Sequence, residues 1–590
     1  MDAQELKAIL ESKFQIPVVE GKDKLCPLDI AIRNHVKKGM TIHFAGRGGA
    51  LFYQLVREFW GKDPGFTIIN NMAATVISLL QGKMVKKIIA SFAGDGYPSS
   101  GPNPVIQKAF LSGEVKFENW TMLTVPQRLL AGAMGWGFTP TRSIIGSSME
   151  EENKESFKVI SNPFNTTDKI GLMKELRPDI AMIHGAAADR SGNLILTYPL
   201  SGDVFGAWGA KNGVIVSAEK IVPTEYIRDH SHLVRIPSYM VKAVCEVPYG
   251  AHPGGMSNRG LPEFEHYFDD YDFVTDVRLA SRDEEKFLKW IKYWILDCKD
   301  HNEYLAKVGR DRLLYLKGKA HSDSWKAEMM AEIQKMDFIE QPNPTELMVI
   351  VAAHAIEDKF IAGGYKTILT GLGVSNLATW LAISSLKEKG HEVDLMAEIG
   401  MYGYLPRASD PTIFGYYNIQ TCKILNNIET MLGVFVGGPT NSCIGVLAAG
   451  QVDKLGNANS TLIPGVSFLV GSGGANDIAT NNRETVVVIN SGKSRLVEKV
   501  PYITFPGNKV KTLATDVGVF EKLGDKETFT LTSYIPSDPK QKAEDAIARA
   551  RERVGWELEI APNLKKAIPH TKEELTLLRL FDPRGFFTGR

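Results

Sequence analysis

Short apolar runs alternate with amphipathic stretches along most of the chain. Apolar residues at 66–69 and 87–92 have the length and bounding polar turns of buried strands, and the stretch 126–135 has the apolar character of a helix. Before them, residues 1–39 read as helical and end in a basic last turn followed by Gly39. Met40-Thr-Ile-His-Phe-Ala-Gly46-Arg-Gly48-Gly49 then reads as strand, glycine turn and helix start. Its amides are candidates for receiving an anion, although tight packing of strand on helix demands glycine as often. Strand and helix in alternation predict parallel sheet covered on both faces.

The rhythm restarts in the second half. A helix over 345–356, a strand over 367–370 and the loop Gly371-Leu-Gly373-Val374-Ser375-Asn376 repeat the order found around Gly46. Ala188-Asp189-Arg190-Ser-Gly192-Asn193 likewise returns as Val452-Asp453-Lys454-Leu-Gly456-Asn457. The spacing between the two signals is about 60 residues longer in the first half, which localises an insertion within one copy of a repeat. The expected fold class is therefore α/β, with two related, doubly wound, mainly parallel-sheet halves. A polar stretch with two prolines near its end sets the expected boundaries: one domain over 1–320, a linker over 321–344 and a second domain over 345–590. Ser281 and Glu284 are read as a capping box for a helix that presents Phe287, Trp290, Ile291, Trp294, Ile295 and Cys298 on one face and ends at Gly309. A capped helix is also expected from Thr571, with Glu574 in its first turn.

Composition narrows the functional classes. With 590 residues the chain is too long for one core, and 44% hydrophobic with 23% charged residues is ordinary for a globular protein. Lys plus Arg and Asp plus Glu both number 68, so no overall charge favours nucleic acid or an anionic membrane. Five dispersed cysteines without a Cys-x-x-Cys pair argue against a disulfide framework or a zinc site, and no metal is expected. The acidic start and the lack of a long apolar run give a cytoplasmic expectation.

One carboxylate organises the candidate chemistry. Val393, Leu395 and Ala397 alternate as a short strand would, and Gly400, Gly403 and Pro406 break the pattern just after Glu398. Glu398 is thereby placed at the strand's carboxyl end, the edge where open α/β sheets bind ligands. A second glycine loop, Gly471-Ser-Gly473-Gly474-Ala475-Asn476, also follows a strand. A carboxylate between two such loops suits covalent acyl chemistry, the carboxylate attacking a thioester while glycine amides hold the oxyanion. No Gly-x-Ser-x-Gly elbow, P-loop or His-Glu-x-x-His helix competes with it. His184 is read as a histidine bonded to the backbone.

The second half resembles the B-type polypeptide of the glutaconate-type family I CoA-transferases. The resemblance lies in Gly371-Leu-Gly373, Ala397-Glu398-Ile-Gly400, Gln451-Val-Asp453 through Thr461, and Gly471 through Thr480. The first half resembles the A-type polypeptide in Pro163-Phe, Ile183-His184, Pro248-Tyr249-Gly-Ala-His252-Pro and Asp297 through Gly309. The resemblance implies transfer of CoA between an acyl-CoA and a small carboxylic acid, with Glu398 as nucleophile. CoA is then a co-substrate, no cofactor is held permanently, and neither nucleic acid nor membrane is a partner. It implies CoA or oxyanion contacts at Gly371, Gly373, Val374, Asn376, Gly473, Gly474, Ala475 and Asn476, and an acid pocket drawing on Asn70, Asn71, Tyr249, His252 and Gln451. Arg47, Arg142 and Arg407 are candidates for a distal substrate carboxylate. Ile399 after the glutamate and the single polypeptide depart from the family pattern, and the second departure implies a homo-oligomer, dimer or tetramer. An acyl-CoA hydrolase or decarboxylase on the same fold, and a non-catalytic CoA or nucleotide module, are the alternatives.

Overall fold

The computed structural model describes residues 1–202, 204–336, 341–538 and 540–589. Two large sheets carry the chain. In the first, Val241–Glu246, Val214–Ile221, Ile180–Ala188, Thr41–Ala45, Phe66–Ile69, Val85–Ala90 and Lys116–Asn119 lie side by side and all parallel. In the second, Asp394–Ala397, Thr367–Thr370, Cys443–Leu447, Glu484–Val488 and Val510–Ala514 do the same. Strands of this kind are covered on both faces, which is why Ile180–Ala188 is buried along its whole length.

The two parallel cores share one strand order. Thr41–Ala45 and Thr367–Thr370 each lie between the next strand of the core and the strand that enters the aspartate turn or leads to it. The turns themselves match in detail. Asp189 accepts from the amides of Ser191, Gly192 and Asn193 and from the Asn193 side chain, and Asp453 accepts from the amides of Leu455 and Asn457 and from the Asn457 side chain. Gly192 and Gly456 have φ of 105° and 82°, so glycine is the residue that completes each turn without strain. The additional length of the first half holds two more parallel strands and a three-stranded antiparallel sheet built from Phe138–Thr141, Phe157–Asn162 and Asn165–Lys174.

Two local expectations are corrected. Ser281 caps the end of the preceding helix, Tyr271–Ala280, by returning its hydroxyl to the Arg278 carbonyl; Asp283 is the N-cap of Glu284–Ile291 and accepts from the Lys286 amide. Phe287, Trp290, Ile291, Ile295 and Cys298 are buried as anticipated, but the helix passes into a wider turn at Lys292–Leu296 and restarts at His301. Within the stretch read as the linker, Ser324–Ile333 is helical and docks through the Ser324 hydroxyl on Tyr417, while 337–340 lie outside the described residues. The capping box at Thr571 and Glu574 is present.

The halves are cross-stitched. Phe92 of the first half bridges Gly471 of the second, and Asn427 of the second bridges Ser201 of the first. Ala93 also donates to Val470, Gly473 to Ser91, and Met122 to Gly473. The second glycine loop is thus held from both halves. No helix among the described residues is long and apolar enough to cross a membrane.

Candidate active site at the junction of the halves

Glu398 follows the last residue of Asp394–Ala397, whose final three side chains are buried. The chain must reverse at once into Met401–Tyr404, and Gly400 makes that possible: its φ is 117°, and a Cβ there would lie 2.2 Å from the Asn426 carbonyl oxygen. The side chain of Glu398 is therefore presented at the sheet edge and cannot continue along the strand. Parallel register pairs Leu369 with Met396, which carries Gly371 alongside Glu398. From the other side Gly474 closes in, and a Cβ built on it would stand 1.8 Å from Glu398 Oε2. The three segments singled out in the sequence are brought together.

The electrostatics of the crevice follow from its enclosure. Glu398 keeps some solvent contact at the residue level, yet its carboxyl is surrounded by protein. Burial, aided by the charge of Asp477, pushes it up to about 8, against a lowering hydrogen bond from the Gly474 amide. Asp477 is fully buried and is raised to about 6 by burial, moderated by hydrogen bonds from Ser143, Thr121 and the Leu123 amide. Its Oδ1 lies 2.6 Å from Thr121 Oγ1 and its Oδ2 lies 3.0 Å from the Leu123 amide. Both carboxyls are thus held above the ordinary carboxylate range, Glu398 further than Asp477.

The loops divide their labour. The Gly373 amide is occupied by Asn376 Oδ1 at 2.7 Å, and Asn376 also donates to the Pro411 carbonyl, so both serve the loop's shape. Val374 opens the helix Val374–Glu388, where first-turn amides have no intrahelical acceptor. In the second loop the Gly473 amide is taken by Ser91, Ala475 by Ser472, and Asn476 spans the Ile144 amide and the Thr504 carbonyl. Gly474 is the loop residue against which the carboxylate lies, and its amide acts to lower the Glu398 carboxyl.

The expected pocket residues separate. Asn70 follows Phe66–Ile69 as Glu398 follows its own strand, the equivalent place in the other half. Asn71 lies beside the second glycine loop, donating to the Met122 carbonyl while its buried Oδ1 has no hydrogen-bond partner. His252 is fully buried between Tyr304, at 2.6 Å, and Asp270, at 3.1 Å, and is a core residue. Its carbonyl lies where a Cβ on Gly49 would sit, so Gly49 serves close packing. Tyr249 gives its backbone amide to Glu219 and lies under Lys317, and the Gln451 side chain donates to the Ser494 carbonyl and accepts from Asn459. His184 binds Ser217 and Glu219, side chains where backbone was expected. Arg47 is paired with Asp269 at 2.8 Å, Arg407 lies over Trp325, and Arg142 is exposed. Asp477, Thr121 and Ser91 were not anticipated; Asp477 alone left a trace, a carboxylate three residues after Gly474 within the glycine motif. Among the described residues no cluster of His, Cys, Asp or Glu is placed to hold a metal.

Residues 27–247 match the Coenzyme A transferase family. The A-type polypeptide of glutaconate CoA-transferase from Acidaminococcus fermentans is 33% identical over 225 residues, 36% of this chain and 68% of that protein. The chain belongs to the coenzyme A transferase family. As a CoA-transferase it carries in one polypeptide the regions that such relatives divide between two: the B-type polypeptide of 3-oxoadipate CoA-transferase from Pseudomonas knackmussii is 28% identical over 259 residues, 40% of this chain and 93% of that one. Two of its curated relatives are spanned to about two thirds of their length, 64% and 68%. The crystal structure of an acyl-CoA transferase from Escherichia coli O157:H7 superposes with a TM-score of 0.61 at 14% identity, covering 95% of this chain and 98% of that one. At that identity the likeness speaks for the CoA-transferase fold alone, here with its two α/β halves.

Proposed function

We propose that this CoA-transferase exchanges CoA between an acyl-CoA and a free carboxylic acid through covalent intermediates on Glu398. The observation that carries the reading is the enclosed carboxyl of Glu398 against Gly474, between two glycine loops of the second half, one of which is held by Ser91, Ala93 and Met122 of the first. In the first step an ionised Glu398 oxygen attacks the thioester carbonyl, the C–S bond breaks, and CoA leaves as thiolate with an acyl-glutamyl anhydride in place. The thiolate then attacks the glutamyl carbonyl, releasing the first acid and leaving a glutamyl-CoA thioester. The acceptor carboxylate reverses both steps and departs as the new acyl-CoA.

The two loops suit different steps. Steps at the glutamyl carbonyl put the oxyanion on an oxygen of Glu398 itself, the group that already lies against Gly474. Steps at the substrate carbonyl would draw on the free first-turn amide of Val374. Enclosure protects the anhydride and thioester from water.

Residues 1–320 and 345–590 are read as the A-like and B-like domains of this enzyme, working in the cytoplasm as a homo-oligomer. The test is incubation with an acyl-CoA and no acceptor acid. Accumulation of a CoA adduct on the Glu398 peptide supports transfer; steady CoA release under those conditions identifies a hydrolase.

A further inference from the structure

We infer that Cys26 and Cys245 are an oxidation site that a peroxide converts to a reversible disulfide, independently of the chemistry at Glu398. The segment before the helix Leu28–His35 runs beside Val241–Glu246, which is paired on its other side with Val214–Ile221. Leu25 bridges Val244 in parallel, the Val244 amide donates to Lys24 and the Cys26 amide donates to Val244. That register sets Cys26 directly across from Cys245, with both side chains on the same face of the ladder. Neighbouring strands stand about 4.8 Å apart, inside the ~4.4–6.8 Å separation of Cα atoms that a disulfide spans. Cys245 belongs to the apolar core of the first sheet, and Cys26 packs against that same core.

The pair is asymmetric in the way a reactive and a resolving cysteine are. Cys26 is half-buried and reachable from solvent, whereas Cys245 is buried beneath it. Contact with Cys245 lowers Cys26 to about 7 against the opposing effect of burial, and Cys245 is pushed up by the same contact and by burial. Burial raises Cys422 and Cys443 to about 12, which leaves them poor nucleophiles.

The steps balance with hydrogen peroxide as the oxidant. The Cys26 thiolate attacks one peroxide oxygen, the O–O bond breaks, and the departing hydroxide takes a proton to become water, leaving a sulfenic acid. Cys245 sulfur then attacks Cys26 sulfur, the S–O bond breaks, and the hydroxyl leaves with the Cys245 proton as a second water. Each sulfur is oxidised and the peroxide is reduced. A small dithiol restores both thiols by exchange.

The experiment treats the reduced full-length protein with stoichiometric hydrogen peroxide, blocks remaining thiols with N-ethylmaleimide and maps the peptides. The expected result is loss of two of the five thiols and one linked peptide pair containing Cys26 and Cys245, undone by dithiothreitol. In Cys245→Ser the reaction is expected to stop at a sulfenic acid on Cys26 that dimedone traps. All five thiols still alkylated in the wild type, or a disulfide joining any other pair, overturns the inference.

Discussion

Gly474 and Glu398 stand so close that the place of a Cβ on the first falls 1.8 Å from Oε2 of the second. The backbone at Gly474 has φ of −86°, which any residue adopts, so space alone demands glycine there. Gly474→Ala is expected to fold with a nearly unchanged Tm while turning the Glu398 carboxyl out of the crevice. A loss of about 100-fold or more in kcat/KM matches the usual effect of displacing a reacting group or its oxyanion donor. Wild-type turnover in the alanine variant would show that the carboxyl works from another position.

The ionisation of Glu398 gives a prediction in pH. Attack requires the carboxylate, and burial with the Asp477 charge holds the group at about 8. The rate of the free enzyme with acyl-CoA is therefore expected to climb as pH rises through that region. Asp477→Asn removes the like charge and leaves the burial in place, so the rising limb moves to lower pH without returning to the range of an exposed glutamate. A pH–kcat/KM profile for the two proteins measures the displacement. It also separates this role from the structural one, since replacing one acceptor oxygen of Asp477 with an NH2 loses one of the Thr121 and Leu123 hydrogen bonds and lowers Tm at every pH.

The same shift enters stability. The native protein holds a proton on Glu398 between the unfolded value near 4.5 and about 8, so that stabilisation is present at low pH and is lost as pH rises through about 8. Glu398→Gln cannot ionise. Relative to wild type its stability is expected to gain with pH, by an amount on the order of 2–3 kcal/mol once the partial solvent contact is allowed for. Parallel melting curves from acid to alkaline pH provide the check.

Away from the crevice, the matched turns at Asp189 and Asp453 predict matched costs. Each carboxylate satisfies several backbone amides, and both aspartates are buried. Asp189→Ala and Asp453→Ala are each expected to destabilise by about 2–4 kcal/mol, the penalty of leaving buried donors unpaired. Denaturant midpoints measure this, and equal activity per folded molecule is expected.

What could be read in the chain depended on how local its cause is. Glu398, the glycine loops and the repeated aspartate turn were legible because strand periodicity and glycine punctuation act over a few residues, and the structure gathers Glu398 and the glycine loops at one edge. The role of His252 was not legible: its partners Asp270 and Tyr304 lie 18 and 52 residues further on, and only the fold shows that they bury it. Asp477 is the sharper case. It lies inside a motif that drew attention for its glycines, yet what makes it matter is Thr121, 356 residues away in the other half. Gly373 shows the reverse error, since a glycine read as an oxyanion donor proves to have its amide taken by Asn376, three residues on.

The central claim is tested most directly by the mass of the Glu398 peptide after the enzyme meets an acyl-CoA in the absence of any acceptor acid. A peptide carrying CoA in thioester linkage at Glu398, discharged when an acceptor carboxylate is added, is the predicted result. An unmodified peptide from enzyme that still completes transfer, or an adduct on a different residue, would contradict the account.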